Sequence, residues 1–218
     1  MGELMNLKTE LNRLFDEWER SNPEYSNSFV RDGIVNEDQY KMAREKVLFL
    51  VKDANDPNRT RWDLANILND RLSHNFPIRI AEWAYGILNG FPPIDSFRYE
   101  PLHDALKSVA VMNIKKIGGG AEAKSQEIAL YARRDREFIQ KQITLTSPTI
   151  IVGGIKTVPI WSEFLDDVKF VRSSFDIRIA EWRGIKVIDY YHPSYRVPRA
   201  MSYSLLQNIV QSERFKNL

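Results

Sequence analysis

The chain of 218 residues carries 31 Lys and Arg against 29 Asp and Glu, with 43% hydrophobic and 28% charged side chains, an ordinary globular balance at a length of one large domain or two small ones. It contains no cysteine, which excludes disulfides, thiolate zinc sites, cysteine-ligated iron–sulfur clusters and a cysteine nucleophile. No apolar run reaches the ~18 residues of a membrane span, and the opening MGELMNLKTELNRLF lacks a basic segment followed by an apolar one, so a cytoplasmic protein without membrane partners is expected.

Leu4, Leu7, Leu11, Leu14, Phe15 and Trp18 recur at spacings of three and four, which predicts an amphipathic helix ended by Ser21-Asn22-Pro23. Residues 36–45 read as a second short helix, so residues 1–45 are expected to be a helical extension. Val47–Val51 is a continuous apolar run of strand length. A strand apolar on both faces belongs in the middle of a parallel sheet. It runs into the polar loop Lys52-Asp53-Ala54-Asn55-Asp56-Pro57.

Residues 62–70 and 77–89 then read as helices. Val109–Met112 is a second buried strand, followed by Asn113 and a loop holding Gly118-Gly119-Gly120. Ser125 reads as the N-cap of one helix to about Gln142, with Ile128, Tyr131, Ala132, Phe138 and Ile139 inward. Thr149–Val152 is a third strand, ending in Gly153-Gly154. Residues 175–182 and 185–191 form a hairpin turning at Arg183-Gly184. Its second arm leads into His192-Pro193-Ser194, and a helix over 200–213 closes the chain. Ile-Arg-Ile-Ala-Glu-Trp occurs at 78–83 and again at 177–182; context makes the first copy helix and the second strand.

Strands separated by helices imply an α/β fold with a mostly parallel central sheet of about four strands. The core is expected over residues 46–210, within one domain. In such folds ligands bind beyond the carboxyl ends of the strands. Four strand ends carry polar groups: Asp53 and Asn55, Asn113 and Lys115, Gly153 and Gly154, and His192 and Ser194. Their convergence is a stronger signal than any one of them. The Val47–Pro57 segment fails as a calcium loop, and the triple glycine lacks the context of a P-loop or dinucleotide fingerprint. The histidines are too far apart in sequence to suggest a catalytic metal. Charge is uneven: residues 1–45 sum to −4 and the remainder to +6. The excess gathers over 113–142 and 183–218, where a basic surface would suit a polyanion.

In this order the motifs resemble the uracil-DNA glycosylase superfamily. Val47-Leu48-Phe49-Leu50-Val51-Lys52-Asp53 is similar to its first motif, a hydrophobic strand leading to a water-positioning residue. Val109–Asn113 is similar to the strand whose terminal Asn reads the flipped base. Ile150–Gly154 falls where the family has an apolar strand ending in Gly, and Tyr191-His192-Pro193-Ser194-Tyr195 matches its second catalytic motif. The resemblance spans about residues 46–210. Where the family has Ser-Pro-Leu-Ser as a wedge into the duplex, this chain has Ser194-Tyr195-Arg196-Val197-Pro198. Asp53 aligns either with the water-activating aspartate of the best-known branch or with the glutamate of the iron–sulfur branches.

The resemblance implies a three-layer α/β/α fold and a DNA glycosylase that hydrolyses the N-glycosidic bond of a flipped uracil or other damaged base, without metal or cofactor. It implies Asp53 and His192 as catalytic residues. It implies Asn113, Asn55, Trp62 and Phe49 around the base, and Lys115, Lys116, Gly153, Gly154, Ser194 and Arg196 on the phosphates of single- or double-stranded DNA. The first alternative is a nucleic-acid-binding or regulatory protein on the same fold without efficient base release. The second is a nucleotide-metabolising α/β enzyme using the glycine-rich loop.

Overall fold

Every residue of strand β3 (Val47–Val51) is buried, and the sheet is assembled around it. A computed structural model describes residues 6–120 and 123–218; Leu4 lies outside the described residues. On one side β3 pairs in parallel with β5 (Ala110–Asn113), and on the other with β6 (Ile150–Gly153), which pairs in parallel with β9 (Ile185–Asp189). The sheet is wider than the four strands expected. It has seven, because β2 (Gly33–Ile34) adds antiparallel to β5 at one edge. At the other edge β8 (Arg178–Trp182) and β7 (Val171–Arg172) add antiparallel beyond β9. A separate parallel pair joins β1 (Val30–Arg31) to β4 (Trp62–Asp63).

The alternation of strand side chains divides the core between the two faces of the sheet. Val47, Phe49, Val111, Val152 and Ile188 pack with α3 (Leu64–Asp70), α4 (Asn75–Asn89), α5 (Tyr99–Lys107) and α9 (Arg199–Gln211). Leu48, Leu50, Ala110, Met112, Ile151 and Val187 pack with α1 (Leu7–Ser21), α6 (Ser125–Arg134), α7 (Arg136–Thr146) and α8 (Val158–Phe164). Helices thus cover both faces of a mixed α/β sheet. No helix among the described residues is long and apolar enough to cross a membrane.

Residues 7–45 are part of this core and not an extension to it. Leu11, Phe15 and Trp18 of α1 are buried, and β2 hydrogen-bonds to β5. The expected second helix shortens to α2 (Glu37–Met42), capped by the Asn36 side chain, which accepts from Gln39 N–H. The helix read over 125–142 is two helices with Asp135 between them. Asp135 is buried, accepts from Arg134 Nε–H at 3.1 Å and bonds the Tyr25 hydroxyl. Lys124, not Ser125, stands at the N-cap, without a side-chain cap bond. The hairpin turns at Arg183 (φ 51°) and Gly184 (φ 79°), two positive φ values that match the right-handed twist of its arms. The repeated hexapeptide divides as expected. Its first copy lies in α4 with Ile80–Trp83 all buried, and its second is β8, where Glu181 is exposed.

Gly153 marks a close approach of helix and sheet. A Cβ there would lie 2.2 Å from the Trp161 ring, and that indole is held by its Nε1–H bond to Asp189 Oδ1 at 3.0 Å. Gly153→Ala is expected to destabilise the fold by about 1–3 kcal/mol through overpacking, read as a lower urea midpoint with an unchanged slope.

Candidate functional site at the carboxyl edge of the sheet

The register brings the polar strand ends together. Val51 stands opposite Asn113, Leu50 opposite Gly153, and Gly153 opposite Asp189. Pairing continues past the strands, with Lys115 N–H on Lys52 O at 2.9 Å and Tyr190 N–H on Gly153 O at 2.7 Å. Lys52, Asn113, Gly154 and the His192 segment therefore emerge along one edge.

Asn113 is held by a residue that carries no motif. Asp32 is buried and accepts four hydrogen bonds. Asn113 N–H and Nδ2–H donate to its Oδ2 at 2.8 and 3.1 Å, and Lys116 Nζ and Gln142 Nε2 donate to its Oδ1 at 2.6 and 2.8 Å. Asn113 keeps a second amide hydrogen and its carbonyl for another partner. It is buried, however, with 1% of its surface exposed.

Lys116 is wholly enclosed and does not meet phosphate. Its ammonium lies 4.9 Å from the Trp18 ring centre and bonds Asp32. Burial is the larger influence and lowers its pKa, against the pull of Asp32. Lys115 is 1% exposed, 2.6 Å from Glu127 and 3.6 Å from Asp53. Both lysines expected on DNA are instead internal counter-ions, since a buried cation requires a carboxylate partner.

The Asp53 side chain is largely enclosed, with 8% of its surface exposed. Burial raises its carboxyl pKa, and Lys115 opposes that rise. The glycine loop lies directly on it, because a Cβ on Gly119 would sit 2.2 Å from Asp53 Oδ2. The backbones of the two loops interlock. Gly119 N–H donates to Ala54 O at 2.8 Å and Asp56 N–H to Gly119 O at 3.0 Å. The glycines serve close packing here, not a phosphate cradle. Asn55 bridges to Gly119 and is exposed.

Two expected stacking residues do not present free faces. Phe49 points into the core, with its ring 6.4 Å from that of Trp83. Trp62 is partly buried and donates Nε1–H to Asp56 Oδ2 at 3.1 Å. Backbone amides expected on phosphates are also taken. Gly154 N–H donates to Leu50 O at 2.8 Å, and Ser194 N–H to His192 Nδ1 at 3.2 Å. Gly153 lies inside the ladder.

His192 keeps the properties that chemistry needs. Since Nδ1 accepts from Ser194, the remaining ring hydrogen is on Nε2, and the imidazole is a fixed donor. Burial, reinforced by the Lys52 charge, lowers its pKa to about 4. Gly154 makes room for it, because a Cβ there would approach His192 Cα to 2.8 Å. The folded pKa lies below the usual 6.5, so the neutral ring's contribution to stability is complete above about 6.5 and is lost as pH falls towards 4. Imidazole NMR should accordingly place the His192 midpoint near 4. A midpoint at 6 or above would contradict its burial beside Lys52.

Arg196 and Lys156 remain at this edge with exposed side chains, and Lys52 is partly exposed. Among the described residues no carboxylate forms an ion pair with any of the three. Sequence reasoning missed Lys52 and Lys156, although Lys52 directly follows the first strand. A depression of about 530 Å³ between α1 and α7, lined by residues including Glu10, Arg13, Glu17, Glu137, Lys141 and Arg183, shares no residue with this edge. Its mixed charges give it no preference for a polyanion, and the chemistry points to the strand ends. Among the described residues no three His, Asp or Glu side chains are grouped to hold a metal ion. No family model, curated protein or solved structure matches the chain.

Proposed function

We propose that the protein is a glycosylase-like hydrolase of the uracil-DNA glycosylase three-layer type, releasing a flipped base from DNA. The observation that carries this reading is His192. It is a neutral imidazole, oriented by Ser194 N–H and set beside Lys52, which forms no ion pair among the described residues. The target base leaves its stack and enters the edge. The C1′–N bond breaks, and the base departs with the electron pair. His192 Nε2–H stabilises the negative charge that develops on the base, an oxyanion-type contribution. Asp53 orients the water whose oxygen bonds to C1′; one water proton passes by way of Asp53 to the departing base, and the other stays on the new C1′ hydroxyl. Asn113 contacts the base edge through its remaining amide groups. Lys52, Arg196 and Lys156 take the phosphate role expected of Lys115 and Lys116.

A second reading is supported by a specific observation. Asp53 is closed over by Gly119 and faces Lys115 at 3.6 Å, which leaves it poorly placed to activate water. On that reading the protein binds nucleic acid without base release. The two separate in a strand-cleavage screen. Single- and double-stranded oligonucleotides carrying uracil, hypoxanthine, xanthine or an alkylated base are incubated with the protein and heated in alkali to cut abasic sites. Cleavage at one modified base supports the hydrolase. Salt-sensitive binding without cleavage supports the second reading. On either, Lys52→Ala and Arg196→Ala should weaken binding on all sequences and reduce the salt slope by about 1 each. Absence of both cleavage and DNA affinity would exclude both readings.

A further inference from the structure

The residues on either side of His192 carry an aromatic pair that the chemistry above does not use. Tyr195 is 59% exposed, although large apolar rings favour burial. It stacks on Tyr191 with ring centres 5.6 Å apart and planes at 23°. The Lys156 ammonium lies 3.5 Å from the Tyr191 ring centre and 5.9 Å from that of Tyr195. With one face on Tyr191, Tyr195 offers its other face to solvent.

The loop after His192 is also fixed. Tyr195 N–H donates to His192 O at 2.9 Å and Val197 N–H to Tyr195 O at 2.8 Å. The Arg79 guanidinium donates to Val197 O at 3.3 Å and to Ser202 Oγ at 2.7 Å. Arg79 lies 3.8 Å from buried Glu82, which also pairs with Arg199 at the start of α9. An exposed ring on a clamped turn is ordered before any ligand arrives, which reduces the entropy lost on binding.

From this juxtaposition we infer that Tyr195, backed by Tyr191 and flanked by Lys156 and Arg196, is a stacking platform for one unpaired nucleobase next to the nucleotide at His192. The ligand class follows from two demands met together: a flat π face for the ring, and a phosphate for the cations beside it. It also follows that the strand is single. Within a duplex each base face is covered by its neighbour, so only an unpaired or splayed base can lie on Tyr195. The inference rests on the nucleic-acid reading of the edge, and not on base release.

The test uses the full-length protein and three fluorescent probes: a short oligothymidylate, the same strand with abasic spacers in place of its bases, and a duplex of equal length. The wild type is expected to bind oligothymidylate more tightly than the abasic strand or the duplex. Tyr195→Ala should weaken oligothymidylate binding about 5- to 150-fold while leaving the abasic strand unaffected. Tyr195→Phe, which keeps the ring, should retain most of the affinity. The salt slope should be unchanged by Tyr195→Ala, since no charge is removed. The side chain is exposed, so thermal unfolding should be the same in all three proteins. Equal losses in the Ala and Phe variants would overturn the platform, as would an unaffected Ala variant, equal binding of duplex, or no binding of oligothymidylate. Base release is measured separately. Release with an indifferent Tyr195 overturns the platform alone. Ring-dependent binding without release sustains the platform and counts against the hydrolase.

Discussion

Asp32→Ala is expected to destabilise the protein by about 3–5 kcal/mol, the effect of breaking a buried ion pair from one side. Four donors converge on that carboxylate: Lys116 Nζ, Gln142 Nε2, and both the backbone and side-chain N–H of Asn113. Alanine leaves the enclosed Lys116 ammonium without its counter-ion, and Gln142 Nε2 and both Asn113 donors without their acceptor. Buried donors stripped of partners carry their full desolvation penalty. Native stability of a domain is only about 5–15 kcal/mol, so this one substitution removes a large part of it. Urea unfolding followed by tryptophan fluorescence checks the result, with the slope held constant between variants. Lys116→Met at the same time as Asp32→Leu should recover much of the loss, because replacing a buried pair by apolar groups is often neutral. A single-variant loss below about 1 kcal/mol would mean that Asp32 does not organise the Asn113 strand end.

His192→Ala is expected to reduce single-turnover base release by about a hundredfold to a thousandfold, or roughly 2.7–4 kcal/mol of transition-state stabilisation, as removal of one oxyanion-type donor does elsewhere. DNA affinity should change little, since the imidazole is uncharged at neutral pH and contributes no phosphate contact. The pH dependence follows from the same geometry. His192 has its pKa lowered to about 4 by burial, with Lys52 adding to the shift. The neutral form, with Nδ1 free to accept from Ser194, is therefore constant from about pH 5 upward. An acid limb due to His192 should appear near 4, not near 6.5. Asp53, whose pKa is raised by burial against the pull of Lys115, must be ionised to act as base. Its limb is therefore displaced upward from that of a free aspartate. Asp53→Asn should slow release without weakening binding. An unchanged rate in both His192→Ala and Asp53→Asn would remove the hydrolase reading.

The sheet was legible because its inner strands are apolar on both faces. Val47–Val51, Val109–Met112 and Thr149–Val152 read directly as buried strands, and the register of the first aligns with the other two. Arg183-Gly184 read as a hairpin because glycine accepts positive φ. The edge strands did not read, because Gly33–Ile34 and Val171–Arg172 are two residues long and show no period. Nor did the break at Asp135, which has neither Gly nor Pro; it is set by tertiary bonds to Tyr25, 110 residues away in the chain.

The site was only partly legible, for a related reason. His192, Asn113 and Asp53 announce themselves as polar residues that end apolar runs. The burial of Lys115 and Lys116 does not, since a lysine in sequence looks solvated. Their fates depend on Glu127 and Asp32, the latter 84 residues distant. Gly118 and Gly119 likewise read as a ligand loop, but a Cβ at either would strike Asp56 or Asp53. Only the fold reveals that two loops meet there. The same fold brings Lys52, Lys156 and Arg196, which are separated in sequence, to one edge with their side chains at least partly exposed.

Nucleic acid is proposed to bind at the carboxyl edge of the parallel strands, with His192 at its centre. Backbone amide chemical-shift mapping with a short single-stranded oligonucleotide tests this most directly. The largest shifts are predicted at Lys52, Gly154, Lys156, His192, Tyr195 and Arg196, with little change in α1 and α7. Shifts confined to the α1–α7 groove around Arg13 and Lys141, or no saturable shifts at the six edge residues, would contradict it.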